Sequence, residues 1–267
     1  MMSRFISFLL AGRRRQVQAI SFLVMNSYFL DVLKFVPCPG MNCYACPAAI
    51  FACPIGTLQH FVIIRQLPLY VLGVLSLIGL GVGRLACGWL CPFGGLQELL
   101  YSLRRRVRWP AWRISERWRW LPYGFLVVLV GIVPLLTYEP WFSKLCPVGT
   151  LEAGIPWVLL NAELRSQVGW FFAVKLLILL ALLIWMLGTQ RPFCRFVCPL
   201  GAIWSPFNRL SRLSLAVEAG SCTECGACRS VCPVDISIHE DPTSTRCVRC
   251  LECVKACPEG AIRLTGV

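Results

Sequence analysis

Two cysteine-rich runs near the end of the chain decide its fold. Residues 222–233 read Cys-Thr-Glu-Cys-Gly-Ala-Cys-Arg-Ser-Val-Cys-Pro, and residues 247–258 read Cys-Val-Arg-Cys-Leu-Glu-Cys-Val-Lys-Ala-Cys-Pro. Both have the spacing C-x2-C-x2-C-x3-C-P. Three thiolates on one tight loop can hold three corners of an iron–sulfur cubane, whereas the fourth cysteine, one helical turn further on, ligates the other cluster. The spacing therefore predicts two [4Fe-4S] clusters that exchange their fourth ligands.

Each predicted cluster takes three cysteines from one run and one from the other. The first cluster has the ligands Cys222, Cys225, Cys228 and Cys257, and the second has Cys247, Cys250, Cys253 and Cys232. A single C-x2-C is also compatible with zinc or with disulfides. Two complete runs in tandem, each closed by Cys-Pro, favour the arrangement of bacterial two-cluster ferredoxins. We therefore predict an electron-carrying ferredoxin domain over residues 213–267.

The rest of the chain is more apolar than an ordinary soluble domain. Of 267 residues, 57% are hydrophobic and 15% are charged, and the mean hydropathy is +0.67. Such a composition indicates a membrane protein. The formal net charge of +13 is then expected to set the membrane orientation rather than to bind nucleic acid. We therefore predict contact with membrane lipid and no nucleic-acid partner.

Four segments are apolar enough to cross a hydrocarbon core, which needs about 20 helical residues. They are Gln18 to Val36, Leu67 to Gly83, Leu121 to Tyr138 and Trp170 to Leu187. None shows the period of two that is typical of a strand. The predicted fold class is therefore mostly α, with a four-helix transmembrane bundle over residues 1–212 that precedes the ferredoxin domain.

Lysine and arginine residues are concentrated in the segments that would lie on one side of this bundle. They precede the first predicted span, separate the second from the third, and follow the fourth. Because basic loops stay in the cytoplasm, we predict a multi-pass protein of the cytoplasmic membrane with both termini and the ferredoxin domain in the cytoplasm. The loop from Arg104 to Trp120 alternates arginine with tryptophan, which is typical of a segment lying on lipid head groups.

A Cys-Pro-x-Gly tetrapeptide occurs four times before the ferredoxin runs, beginning at Cys53, Cys91, Cys146 and Cys198. Each should open a helix, because proline fits the first turn and a thiolate there lies at the positive end of the helix dipole. Two copies have another cysteine one turn earlier, which places both sulfurs on one side. We therefore predict a third [4Fe-4S] cluster at the cytoplasmic ends of the second and fourth spans, with zinc as the alternative. Its ligands are Cys87, Cys91, Cys194 and Cys198.

Five further cysteines lie in loops that the topology places on the outer face. They are Cys38, Cys43, Cys46, Cys53 and Cys146. A fourth cluster held by Cys43, Cys46, Cys53 and Cys146 would leave Cys38 over. Disulfides, instead of such a cluster or in addition to it, are the alternative, because this face is oxidising. The sequence leaves both interpretations open.

Polar residues in or near apolar segments are candidates for binding a quinone. They are Gln59, His60 and Lys175, together with Asp31. Three of them have a simpler interpretation: Lys175 can extend its amine towards the membrane surface, Asp31 can pair with Lys34 one turn away, and His60 fits the membrane interface.

The whole pattern resembles the membrane polyferredoxins encoded with periplasmic nitrate reductase and the related membrane proteins of nitrous-oxide respiration. The matching motifs are Cys87-Gly-Trp-Leu-Cys91-Pro, Cys194-Arg-Phe-Val-Cys198-Pro and the two ferredoxin runs. The resemblance implies a quinol dehydrogenase component that works with other redox subunits and passes electrons between the quinone pool and exported partners. The chain departs from that family in its Cys38–Cys53 loop and in Cys146. A redox sensor or a maturation factor for metal centres is the alternative function.

Overall fold

The computed structural model describes residues 2–28, 31–112 and 114–266, without the side chains of residues 2–12, 31–32, 105–107 and 116. The first part of the chain forms five helices, which are α1 (Met2–Met25), α2 (Pro54–Ile63), α3 (Leu69–Val82), α4 (Leu85–Trp89) and α5 (Pro92–Val107). The middle part forms α6 (Leu121–Phe125), a π-helical stretch (Leu126–Ile132), α7 (Val133–Thr137), α8 (Trp141–Leu145), α9 (Pro147–Gly149), a second π-helical stretch (Thr150–Gly154), α10 (Ile155–Leu160) and α11 (Ala162–Ser166).

The last part forms α12 (Trp170–Gly188), α13 (Pro192–Phe196), α14 (Pro199–Trp204), α15 (Phe207–Leu210), strand β1 (Ser214–Val217), α16 (Ala227–Ser230), α17 (Glu252–Ala256) and strand β2 (Ile262–Thr265). Three 3-10 turns cover Asp31–Phe35, Glu116–Trp120 and Ala219–Ser221. The two strands pair antiparallel, with Ser214 opposite Thr265 and Val217 opposite Ile262. The described chain is therefore mostly helical, as predicted.

Two helical segments within the described residues are long and apolar enough to cross a membrane, namely Arg117–Thr137 and Trp170–Gly188. They correspond to the third and fourth predicted spans, so the predicted four-span bundle is not confirmed. The second predicted span forms α3, whose 14 residues rise only about 21 Å against a hydrocarbon core of about 30 Å. Pro68 precedes this helix, and Gly83 ends it with a φ of 57°, a conformation that favours glycine.

The first predicted span, from Gln18 to Val36, is wrong as a single helix. Helix α1 begins much earlier and ends at Met25, and Tyr28 has a left-handed φ of 65°; Phe29 and Leu30 lie outside the described residues. The backbone N–H of Tyr28 donates to Ala48 O at 3.1 Å, and that of Cys38 donates to Ala52 O at 2.8 Å. Hydrogen bonds to a distant segment thus replace the helical ones, and hydropathy alone does not reveal them.

The four Cys-Pro-x-Gly repeats open helices as predicted. Pro54, Pro92, Pro147 and Pro199 are the first residues of α2, α5, α9 and α14. In each repeat the cysteine takes the cap position with an extended backbone.

The N-terminal helix joins the two ends of the molecule. Helix α1 lies beside α4 and α5, and it also lies beside β2 and α17. One buried apolar core runs from Leu75 and Met186 to Leu215 and Ile262. The predicted domain boundary between residues 212 and 213 stays a prediction.

Candidate iron–sulfur centres

The cysteines of the two C-x3-C pairs lie together in the interior; they are Cys87, Cys91, Cys194 and Cys198. Burial raises the pKa of the Cys91 thiol to about 12, and the neighbouring Cys194 and Cys87 sulfurs add to this rise. Burial likewise raises the pKa of Cys198, with further contributions from Cys194, Cys87 and Cys91. The structure therefore brings these thiols, which we call the C-x3-C centre, within electrostatic range of one another.

Donor groups already point at the sulfurs of this centre. The side-chain amide of Gln97 donates to Cys194 Sγ at 3.1 Å, the backbone N–H of Met41 donates to Cys91 Sγ at 3.4 Å, and that of Gly201 donates to Cys198 Sγ at 3.4 Å. Gln97 is fully buried, and its oxygen accepts the backbone N–H of Phe193 at 3.0 Å. These donors favour the thiolate form that an iron cluster requires.

The predicted ligands of the second ferredoxin cluster lie close together, and one cysteine of the first cluster lies beside them. Burial raises the pKa of Cys253, and the sulfurs of Cys250, Cys247, Cys232 and Cys228 add to this effect in that order. The structure therefore places Cys232 from the first run beside the three cysteines of the second run, and Cys228 is close as well. A small cavity of about 10 Å³ lies among these thiols.

Both ferredoxin runs repeat the same local backbone. The second residue after the first cysteine has a left-handed φ in each run, namely Glu224 at 51° and Arg249 at 49°. Gly226 and Leu251, two residues further on, also have left-handed φ values, 73° and 64°. Such turns let successive cysteines of one loop face the same side.

The remaining ferredoxin thiols are more accessible. Cys225 is exposed, Cys222 and Cys257 are half-buried, and only Cys228 of this set is buried. The backbone N–H of Ala261 donates to Cys257 Sγ at 3.3 Å. Cys225 is therefore the one exposed thiol among the described cysteines.

Three of the predicted outer ligands lie together. Cys43, Cys53 and Cys146 line a cavity of about 300 Å³ that also contacts Lys175. Burial raises the pKa of Cys146 to about 12, and Cys53 and Cys43 contribute to the rise. Cys46 lies on the same turn as Cys43 but lines a neighbouring cavity. We call Cys43, Cys53 and Cys146 the outer centre.

Cys38 lies between the outer centre and the C-x3-C centre. It is fully buried and its sulfur lies 3.7 Å from Met25 Sδ. Its thiol pKa is raised by burial, with smaller contributions from Cys91 and Cys53. The loop that carries it therefore runs deep into the protein and contacts both centres.

The candidate quinone residues have different surroundings. Gln59 is fully buried; its oxygen accepts from Ser143 Oγ at 2.6 Å and its amide donates to Leu129 O at 3.0 Å. His60 is exposed, Lys175 faces the outer centre, and the side chain of Asp31 lies outside the described residues.

A larger cavity of about 850 Å³ lies elsewhere, between α1, α5 and the 150–156 stretch. Phe22, Phe93 and Leu96 line it, together with Glu98 and Glu152. Burial raises the pKa of Glu152 to about 7, against the lowering effect of the Cys43 N–H, which donates to its carboxylate at 2.8 Å. No local sequence pattern indicates this cavity.

Buried guanidinium groups surround the C-x3-C centre, and sequence reasoning missed them. Arg84 donates to Cys194 O at 3.4 Å and to Thr245 O at 3.1 Å, and Arg191 donates to Cys87 O at 3.0 Å. Arg14 pairs with Glu98 at 2.7 Å. Among the described residues, one buried N–H group on each of these arginines has no acceptor.

These surroundings fit an anionic cluster. Unpaired guanidinium donors next to buried thiols supply the charge-assisted hydrogen bonds that an iron–sulfur anion accepts. Within the described part of the chain, no three Cys, His, Asp or Glu side chains are grouped as a mononuclear metal site requires. The predicted thiols would hold the clusters, and the clusters would supply one-electron chemistry.

Comparison with known proteins identifies 4Fe-4S binding domains in the chain. A family model described as 4Fe-4S binding domain matches residues 51–69, 67–110 and 170–216, which include Cys53 and both C-x3-C pairs. A second model with the same description matches residues 243–263, which include all the cysteines of the second ferredoxin run. No solved structure matches.

Several curated proteins are similar over much of the chain. The uncharacterized protein MJ0750 of Methanocaldococcus jannaschii is 31% identical over 79% of this chain and 84% of its own. The regulatory protein NosR of Stutzerimonas stutzeri is 32% identical over 62% of this chain and 22% of its own. The ferredoxin-type protein NapH of Escherichia coli is 28% identical over 68% of this chain and 62% of its own. The chain therefore binds [4Fe-4S] clusters and belongs to the same family as MJ0750, and it is similar to ferredoxin-type proteins such as NapH.

Proposed function

We propose that the chain is a membrane electron relay in which the ferredoxin centres, the C-x3-C centre and an outer cluster form one line. The ligands are those that the sequence predicts for the first three clusters. Cys43, Cys53 and Cys146 hold the fourth together with Cys46 on the same turn.

One face of helix α1 carries this proposal. Arg14 pairs with Glu252 of α17, beside the second ferredoxin centre, at 3.1 Å. Gln18 donates to Gly88 O at 2.9 Å and Ser21 donates to Leu90 O at 2.7 Å, both within the first C-x3-C pair. Met25 contacts Cys38, which precedes the outer thiols.

These contacts lie at intervals of three or four residues, so they share one side of the helix. From Arg14 to Met25 the helix rises about 16 Å. A short helix face therefore touches, in order, the ferredoxin part, the C-x3-C centre and the loop of the outer centre. Such closeness supports direct electron transfer from each centre to the next.

Two features support a membrane location and its orientation. The helix Trp170–Gly188 is apolar with few buried residues, and Leu177 and Leu180 on it are exposed, which suits contact with lipid. The arginines within α1 and those that follow α5 support a cytoplasmic location for these segments. Reporter fusions after Arg15 and Arg108 should report the cytoplasm, and a fusion near Arg165 should report the outside.

We place the quinone in the 850 Å³ cavity rather than at Gln59 or His60. Its size lies in the range of ligand sites, and it combines apolar walls with a few polar groups. Its lining includes Phe93, two residues after Cys91, and Cys46. A quinol there would be close to both the C-x3-C centre and the outer centre, and the exposed ferredoxin end would serve another redox subunit.

The proposal is tested with the full chain in proteoliposomes that enclose ferricyanide. Dithionite added outside should bleach the enclosed ferricyanide, and replacing Cys91 or Cys146 by Ser should stop the transfer. Cys38→Ser is the matched control, because Cys38 is not an assigned ligand. Transfer that survives both ligand variants would contradict the relay.

The regulatory name of NosR favours redox sensing as the second candidate. A sensor would lose clusters on oxidation without passing electrons across the liposome membrane.

A further inference from the structure

Glu98 is the centre of a buried network of charges. Its carboxylate accepts two hydrogen bonds from Arg14, at 2.9 and 2.7 Å, and one from Arg191 Nε at 2.7 Å. The exposed side-chain fractions are 5% for Arg14, 12% for Glu98 and 0% for Arg191. Three elements that are distant in sequence therefore meet at one carboxylate.

The network lies between two of the proposed clusters. Arg191 donates to Cys87 O at 3.0 Å, and its guanidinium is within electrostatic range of Cys194 and Cys91 in the C-x3-C centre. It is also within range of Cys250 in the second ferredoxin centre. Arg14 is within range of Cys250 too. Each guanidinium thus acts on thiols that the proposed function assigns as ligands.

The charges within the network do not balance. Two guanidinium groups share the Glu98 carboxylate, and Glu252, which pairs with Arg14 at 3.1 Å, is 31% exposed and therefore partly screened. Within the described residues, Arg14 Nε and Arg191 Nη2 are buried and have no acceptor. A buried excess of positive charge is costly unless an anion lies nearby.

A cubane held by four thiolates is such an anion, and it gains one more negative charge on reduction. Positive charge nearby stabilises the reduced form more than the oxidised form, so it raises the reduction potential. A carboxylate nearby has the opposite effect. Arg191 and Glu98 should therefore move the potential in opposite directions.

We propose that the Arg14–Glu98–Arg191 network sets the reduction potentials of the C-x3-C cluster and of the second ferredoxin cluster, with Arg191 raising them and Glu98 lowering them. These are positioning residues and not ligands. The proposal rests on the ligand assignment given under the proposed function.

Potentiometric titration of the purified full chain, followed by electron paramagnetic resonance, tests this proposal. The signal of the C-x3-C cluster is identified first, as the one that Cys87→Ser abolishes. Arg191→Gln should lower the midpoint potential of that signal, and Glu98→Gln should raise it. Each change should alter the ratio of reduced to oxidised cluster about tenfold at a fixed potential, which is about 59 mV for a one-electron couple.

Two controls separate tuning from damage. Glu139→Gln removes a carboxylate from the exposed pair with Lys144 and should leave every potential unchanged. Arg191→Lys keeps the positive charge and should restore most of the potential that Arg191→Gln loses. A purely structural role predicts neither the opposite shifts nor this rescue.

The outcomes are distinct. Unchanged potentials, or shifts of the same sign in Arg191→Gln and Glu98→Gln with iron content intact, would overturn the proposal. If Arg191→Gln loses iron, the Glu98→Gln shift decides: upward supports tuning, and any other result refutes it. If both variants lose iron, the network is structural and the proposal fails. If Cys87→Ser abolishes no signal, the ligand assignment fails instead.

Discussion

Replacing Gln97 by Leu should destabilise the C-x3-C centre and leave the outer thiols in place. Gln97 joins the two halves of this centre, because it follows Cys91 on α5 and bonds to residues of α13. Its amide donates to Cys194 Sγ at 3.1 Å, and its oxygen accepts the N–H of Phe193 at 3.0 Å. Leucine fills a similar volume and makes neither bond, so the variant isolates the polar contribution.

The magnitude follows from the groups that lose partners. Phe193 lies in the first turn of α13 and is buried, so its N–H would be left without an acceptor at a cost of about 1–3 kcal/mol. The Cys194 thiolate would lose a hydrogen bond to a charged group, worth about 1.5–3 kcal/mol. We therefore expect a loss of about 2.5–6 kcal/mol in the free energy of unfolding of the cluster-loaded state.

The assay is thermal unfolding in detergent under argon, read from the visible absorbance of the clusters, with iron release to a chelator as a second readout. Gln59→Leu is the matched control, because Gln59 holds the equivalent position after Cys53 but bonds to Leu129 O and to the N–H and hydroxyl of Ser143 rather than to a sulfur. The Gln59→Leu variant should be less stable than the unmodified protein, but it should lose the C-x3-C signal, the one that Cys87→Ser abolishes, no faster than the unmodified protein does.

Equal iron release from Gln97→Leu and the unmodified protein would refute this reasoning. So would a loss of the C-x3-C signal in Gln59→Leu and not in Gln97→Leu.

Three other predictions follow from the same geometry. Cys87→Ser and Cys194→Ser should remove the same spectroscopic signal, since one cluster joins both pairs; separate signals would mean separate sites. The anaerobically purified chain should contain about sixteen irons if the outer cluster forms and about twelve if it does not, and outer thiols that alkylate only after reduction would indicate disulfides instead. Gly88→Ala should weaken the contact with the ferredoxin part, because a Cβ at Gly88 would overlap Val248 O and such overpacking costs about 1–3 kcal/mol. The weaker contact should speed proteolysis between residues 211 and 222, and an unchanged rate would contradict the packing.

Local signals in the sequence were sufficient where short-range chemistry decides the structure. The helix starts at Pro54, Pro92, Pro147 and Pro199 were predictable, because a proline in the first turn and a capping cysteine act within a few residues. The polar residue six positions after the repeat cysteine could also have been noticed, since Gln59, Gln97 and Glu152 recur there. All three accept a backbone N–H from a distant segment.

Long-range contacts explain what the sequence did not show. Hydropathy continues past Met25, but the hydrogen bond from Tyr28 to Ala48 belongs to a segment whose position no local pattern predicts. Arg191 follows an apolar helix and resembles a surface residue that sets membrane orientation, yet it is fully buried. Its burial depends on Glu98, 93 residues away, which only the folded chain brings near.

The hydrogen bonds that close the centres also have a consequence for the timing of biosynthesis. Gln97 cannot form its hydrogen bond until Phe193, 96 residues later, has been synthesised, and Cys43 cannot bond to Glu152 until 109 further residues have been added. A ribosome releases the partners of the outer thiols first, those of the C-x3-C centre next, and the last ferredoxin cysteine after both. If the thiols bind clusters as proposed, no centre can be completed while its later half is still being made. The nascent chain must therefore keep its earlier cysteines reduced until iron and sulfide can be inserted.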